Sequence, residues 1–128
     1  MARTEHWKSE PDEHDYPAAH DFLSLVMTDA AARAVVRDLP RAPLTKRKAK
    51  DLLRAAALEI LPRDNVHVVA DLKKVKKGRR LSPVLLVRGS IKSRRALTIA
   101  DGYHRICASY YLDEDADIPC RIVNGPQP

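Results

Sequence analysis

Aromatic residues are scarce in this chain. They make up 5% of its 128 residues, and four of the six are tyrosines. A core built from this composition rests on Leu, Val, Ile and Ala. Cysteine is nearly absent as well, with two residues. A domain of this length buries roughly two-thirds of its unfolded-chain surface and needs no disulfide framework. No apolar run approaches the roughly 20 residues of a membrane span. The opening residues Met1 to Lys8 lack the apolar region of a signal peptide. These absences point to a reduced, cytoplasmic location and no membrane partner. No Gly-x-Ser-x-Gly, His-Glu-x-x-His or Walker loop is present.

What the chain has in excess is positive charge, unevenly spread. The net charge is +6. Residues 1–40 hold 4 Lys+Arg and 8 Asp+Glu, residues 41–95 hold 17 and 4, and residues 96–128 hold 2 and 5. A cationic middle with acidic flanks suits a polyanion, either nucleic acid or a nucleotide phosphate chain. It equally suits a solvated lysine-rich face that the flanks partly neutralise in the fold.

Residues 1–17 are polar, contain Pro11 and Pro17, and read as a loose or disordered arm. Residues 18–128 read as one domain. Its first part, 18–62, reads as a helical extension. Phe22, Leu25 and Val26 lie on one helix face, and Thr28-Asp29 caps a second helix running to Leu39. Leu44-Thr45 opens a third helix, with Leu52, Leu53, Ala56, Ala57 and Ile60 on its buried face and Pro62 at its end. Beyond residue 63 the pattern is mixed. Val66 to Val69 reads as a strand, Asp71 to Lys77 as one or two helical turns closed by Gly78, and Pro83 to Val87 as a buried strand. Ala96 to Ala100 reads as another strand, followed by a helix to about Leu112 and a last strand from Ile118 to Val123. The fold class expected is α+β, a mixed α/β arrangement of a small sheet with flanking helices behind a helical N-terminal segment.

The sharpest feature is Ala100-Asp101-Gly102-Tyr103-His104-Arg105, placed where a strand hands over to a helix. A helix N-terminus offers free N–H groups and the positive end of the dipole, a ready cradle for phosphate. Gly102 lets the backbone approach a ligand or take a positive φ, or serves a plain turn. Arg105 can fork two bonds to phosphate oxygens, or is a surface arginine. His104 is a candidate donor or acid–base, and Asp101 a candidate base beside a nucleotide, with helix capping as its plainer role. Tyr103 stacks on a ligand or merely packs. Lys73 and Lys74, in the cluster running to Arg80, are candidates to close on the phosphates. Asp71 caps a helix or supplies a carboxylate. Cys107 and Cys120 read as small core residues. No metal site is expected, His6, His14 and His20 being placed in the loose arm.

Taken in order, these elements resemble the ParB/sulfiredoxin superfamily. Leu81-Ser82-Pro83-Val84-Leu85-Leu86-Val87 is similar to its P-I-x-V strand. Leu97 to Arg105 is similar to its D-G-x-x-R signature, and Ile118-Pro119-Cys120-Arg121-Ile122 to its closing strand. The likeness spans 63–124. It implies a compact α/β core with a nucleotide-phosphate site at the Gly-x-x-Arg turn, taking ATP, ADP or CTP with Mg2+, and phosphoryl transfer or nucleotide hydrolysis as candidate reactions. Tyr103 stands where sulfiredoxins carry cysteine, and a phenol cannot replace a thiolate nucleophile. His104 stands where the ParB branch carries its first arginine, and no helix-turn-helix region follows. Two other readings stand beside this one. The first is a basic nucleic-acid-binding module using Lys46–Arg54, Lys73–Arg80 and Arg88–Arg95 on one face, with a nuclease version resting on Asp71 and Asp101. The second is a non-catalytic interaction protein whose turn is plugged from within residues 18–60.

Overall fold

Four strands form one sheet in the computed structural model, which describes residues 6–126. In chain order the elements are α1 (Asp15–Leu23), α2 (Asp29–Asp38), a 3-10 turn (Leu39–Arg41), β1 (Leu44–Lys48), α3 (Ala49–Ala56), α4 (Val66–Lys76), β2 (Val84–Arg88), β3 (Thr98–Asp101), α5 (Tyr103–Leu112) and β4 (Asp117–Asn124). The strand order is β1-β4-β2-β3. β4 runs antiparallel to β1 and parallel to β2, and β2 runs antiparallel to β3. The fold is thus α+β with a mixed open sheet. Among the described residues no helix is long and apolar enough to cross a membrane.

The run Val84-Leu85-Leu86-Val87 is continuous in apolar residues because both faces of the sheet are covered. Val84 and Leu86 point into a core with Leu52, Val68, Ile106 and Ile118. Leu85 and Val87 point into a second core with Ala19, Leu23, Val35 and Leu39. Helices α3, α4 and α5 therefore lie over one face, and α1 and α2 over the other. Cys107 and Cys120 are buried free thiols, and burial pushes both thiols up from the ordinary value. They act as small core residues, as the sequence implies.

Local signals explain several boundaries. Thr28 caps α2 by accepting from the Ala31 N–H at 3.2 Å. Gly78 follows α4 at φ +78, the left-handed position a helix stop favours. Two segments depart from expectation. Val66 to Val69 is the first turn of α4, not a strand. Asn65 accepts from the N–H groups of His67 and Val68 at 2.9 and 3.2 Å, which fixes a helix start and overrides β-branched propensity. Asp71 accordingly lies in mid-helix and caps nothing. Leu44 to Lys48 is a strand, not a helix start, because it pairs along β4 from Leu44–Arg121 to Lys48–Asp117. The helix after it stops at Ala57, which takes φ +56, well before Pro62. The division into a helical extension and a core at residue 62 does not hold either, since β1 belongs to the same sheet as the later strands.

The N-terminal arm is a further correction within the described residues; residues 1–5 lie outside them. Trp7 is 4% exposed and bridges Leu81, with Lys8 N–H donating to Leu81 O and Leu81 N–H to His6 O, both at 2.7 Å. A single buried indole outweighs the polar composition around it. The arm is thereby laid against Leu81-Ser82, beside the turn that opens α5.

Candidate functional site

The turn at Gly102 has a geometric reason for its glycine. Gly102 takes φ +114, and a Cβ there would stand 2.4 Å from Val84 Cγ1 and 2.9 Å from Arg105 Nη2. It forms the N-cap of α5 with no side-chain hydrogen bond. Asp101 does not cap this helix. It ends β3 and reaches forward to Arg105, with Nη2 donating to Asp101 Oδ2 at 2.6 Å.

Arg105 is held on three sides. Its Nη1 donates to the Ser82 carbonyl at 2.9 Å and contacts Asp15 Oδ2 at 3.4 Å. The Ser82 hydroxyl donates to Asp15, whose backbone lies in the first turn of α1. A cation in the first turn of a helix is unfavourable without an anion beside it. Here the protein supplies two, Asp15 and Asp101. The plug on this turn thus comes from Asp15, just outside residues 18–60. Burial pushes the Asp101 carboxyl above the usual range, against the pull of the Arg105 charge.

Around this lock lies an open groove of about 710 Å³. One side is the N-terminal segment, with Lys8, Asp12, His14 and Asp15. Another is α4, with His67, Asp71 and Lys74. Arg79 and Arg80 follow on the connection to β2, and Asp101, Gly102, His104 and Arg105 close the back. Of the residues singled out from sequence, Lys74, Asp71, Asp101, Gly102, His104 and Arg105 meet here. Two do not. Lys73 is not part of the lining, and Tyr103 donates its hydroxyl to the Glu59 carbonyl at 2.5 Å, so it pins a loop. Burial raises the Tyr103 phenol above its ordinary value.

His104 faces His67 at 4.6 Å between ring centroids. Burial, with His67 beside it, lowers the His104 value below that of a free imidazole. Asp71 is raised, chiefly by burial. The neutral imidazole is therefore the form of His104 at pH 7. Between its folded value and about 6.5 the unfolded chain binds more protons there, so this residue's share of stability is lost as pH falls through that window. Between about pH 7 and pH 5, the urea midpoint of the wild type should drop relative to that of His104→Gln. Parallel curves for the two proteins would refute the assignment.

Asp12, His14 and Asp15 place one ligand atom each within 4.8 Å of one another. One oxygen of each carboxylate is already engaged: Asp12 Oδ1 accepts from Lys8 at 2.7 Å, and Asp15 Oδ2 from Ser82 and Arg105. A magnesium ion here would compete with these contacts. The pairing with Lys8 holds Asp12 below the usual carboxylate range.

Sequence reasoning missed Asp15, Ser82 and His67. The signal for the first two was Trp7, a lone large apolar residue that ties its polar neighbours to the domain. The cationic segments are divided between two places. Lys74, Arg79 and Arg80 line this groove, whereas Arg47, Arg88 and Arg95 line a separate hollow that shares no residue with it. The chain matches no family model, no curated protein and no solved structure.

Proposed function

We propose that the groove binds a nucleotide through its phosphates, with ATP, ADP and CTP as the ligands to be tried. The observation that carries this reading is the first turn of α5, opening without a side-chain cap onto a groove that carries Lys8, Lys74, Arg79 and Arg80 beside its carboxylates. The leading N–H groups of a helix have no intrahelical partner and favour an anion. The volume lies in the range of about 300–1,000 Å³ usual for small-molecule sites. The resemblance of Asp101-Gly102-Tyr103-His104-Arg105 to the ParB/sulfiredoxin turn supports the same assignment.

The roles differ from a simple reading of the motif. Arg105 is committed to Asp15, Asp101 and Ser82 and acts as a positioning residue for the turn. Arg79 and Arg80 form no ion pair among the described residues, and Lys74 stands 3.9 Å from Asp71. These three are the cations available to phosphate oxygens. Neutral His104 is placed to accept or pass a proton. Phosphoryl transfer or nucleotide hydrolysis fits, since that chemistry is largely positioning and charge stabilisation.

Isothermal titration with ATP, ADP and CTP, with and without magnesium, tests the proposal. Binding of at least one nucleotide is expected. Lys74→Gln and Arg80→Gln should each weaken it about tenfold, the scale of one lost charge-assisted hydrogen bond. These variants leave the Arg105 lock intact. Absence of binding by the wild type, or equal affinity in both variants, would overturn it.

A further inference from the structure

We infer that this chain associates head to tail with further copies of itself, through two complementary surfaces away from the groove. The first is a hollow of about 430 Å³ with Arg47, Arg88 and Arg95, and one carboxylate, Asp51, around a floor that includes Leu52, Leu97 and Ile122. Ile91 stands on its rim and is 98% exposed. The loop that carries Ile91 is ordered by paired bonds, Ser90 N–H to Arg95 O at 2.7 Å and Arg95 N–H to Ser90 O at 2.8 Å. Ile91 is thus held outward by a built turn. None of the three arginines forms an ion pair among the described residues; Arg88 donates to the Asn124 side chain and Arg95 to a backbone carbonyl.

The second surface is the connection between α1 and α2. Phe22, Leu25 and Val26 are 42%, 83% and 58% exposed, three of the eight large apolar residues left on the surface among the described residues. Such clustering marks an interaction site more than scattered exposure does. Asp21 flanks them and is exposed. No lysine or arginine occurs between Lys8 and Arg33, and no carboxylate occurs between Asp71 and Asp101, a stretch holding ten cations. The knob is therefore apolar with acidic flanks, and the hollow apolar with a rim of three arginines against one aspartate, Asp51.

A second copy is the occupant these observations favour. The hollow opens beside the core under α3 and α5, whose members include Leu52, Leu97 and Ile122. The knob follows α1, which packs on the other core through Ala19 and Leu23. Lying with opposite layers of one sheet, knob and hollow do not fill each other within one molecule. An apolar cavity of about 150 Å³ takes one benzene, so this hollow has room for two aliphatic side chains such as Leu25 and Val26. Arginines on its rim can meet Asp21 and other carboxylates of the acidic segment in forked pairs. Such contact uses different patches on the two copies, so it propagates or closes a ring and does not stop at a symmetric dimer.

Sedimentation velocity across about 10 μM to 1 mM, at low salt and again near 1 M where the Debye length shrinks to about 3 Å, tests the inference. The wild type should exceed the 14.4 kDa monomer mass and keep growing with concentration at low salt, and return towards monomer at high salt. A hollow variant, Arg47→Glu with Arg95→Glu, and a knob variant, Asp21→Lys with Leu25→Lys, should each raise the dissociation constant at least tenfold. Mixed in equal amounts, they should form dimers and nothing larger, because each retains one working surface. A monomeric wild type, association that survives in either variant, or a mixture that stays monomeric would overturn the inference. Circular dichroism checks folding, and Arg95→Gln and Leu25→Ser serve as milder versions of the same test.

Discussion

Replacing Arg105 by leucine is expected to destabilise the fold by roughly 3–5 kcal/mol at pH 7, the scale of a buried ion network deprived of one partner. The side chain is 13% exposed, and its partners Asp15 and Asp101 are 6% and 21% exposed. Leucine leaves two neighbouring carboxylates with no cation between them. Asp101, already raised by burial, would lose the opposing pull of the Arg105 charge and bind a proton more readily folded than unfolded. The variant should therefore regain stability as pH falls from about 7 towards 5, where Asp101 begins to neutralise. Urea unfolding at the two pH values measures this. Adding Asp15→Asn and Asp101→Asn should restore part of the loss at pH 7, since the uncompensated charge would be gone. A loss under about 1 kcal/mol for Arg105→Leu would mean the lock is a surface-like contact, against its burial.

Gly102→Ala is expected to cost about 2–6 kcal/mol. A non-glycine residue at φ +114 carries roughly 1–3 kcal/mol of backbone strain. The added methyl would also stand 2.4 and 2.8 Å from Val84 atoms, an overpacking of roughly 1–3 kcal/mol more. Against a total stability of about 5–15 kcal/mol, this brings the protein near its threshold. Val84→Ala removes the 2.4 Å contact with Cγ1 but leaves the 2.8 Å contact with Cβ and the backbone strain. The double variant should thus lose less than the sum of the two singles. Strict additivity would show that Val84 is not what confines the position. The glycine has a structural cause whatever the groove holds, so the functional weight falls on the cations and N–H groups around it.

Much of the second half was legible because its signals are local. The Gly102 turn, the continuous run of β2 and the Gly78 stop each follow from a few neighbouring residues. What escaped depends on partners far along the chain. Leu44 to Lys48 is mostly exposed and becomes a strand only by pairing with β4, 69 to 77 residues on. Val66 to Val69 has the composition of a strand, yet Asn65 and the spacing Val68, Leu72, Val75 mark a helix once the cap is weighed above propensity. Asp15 reaches Arg105 across 90 residues of chain, placed there by the packing of α1 through Ala19 and Leu23 and by the docking of Trp7. The candidate site was therefore half visible. Its turn was written in one stretch, while the carboxylate that occupies Arg105 was not.

That occupation changes what the turn can do. Arg105 braces the opening of α5 against Asp15 and Asp101, leaving the helix N-terminus, Lys74, Arg79 and Arg80 to meet a ligand. The most direct test is a nitrogen–proton correlation spectrum of the labelled protein titrated with ATP, then with CTP. The largest amide shifts are expected at Gly102, Tyr103, His104 and Arg105, with smaller ones at Lys74, Arg79 and Arg80. Unchanged amides across Gly102 to Arg105 at saturating nucleotide, or shifts centred on Arg47, Arg88 and Arg95, would contradict nucleotide binding at this turn.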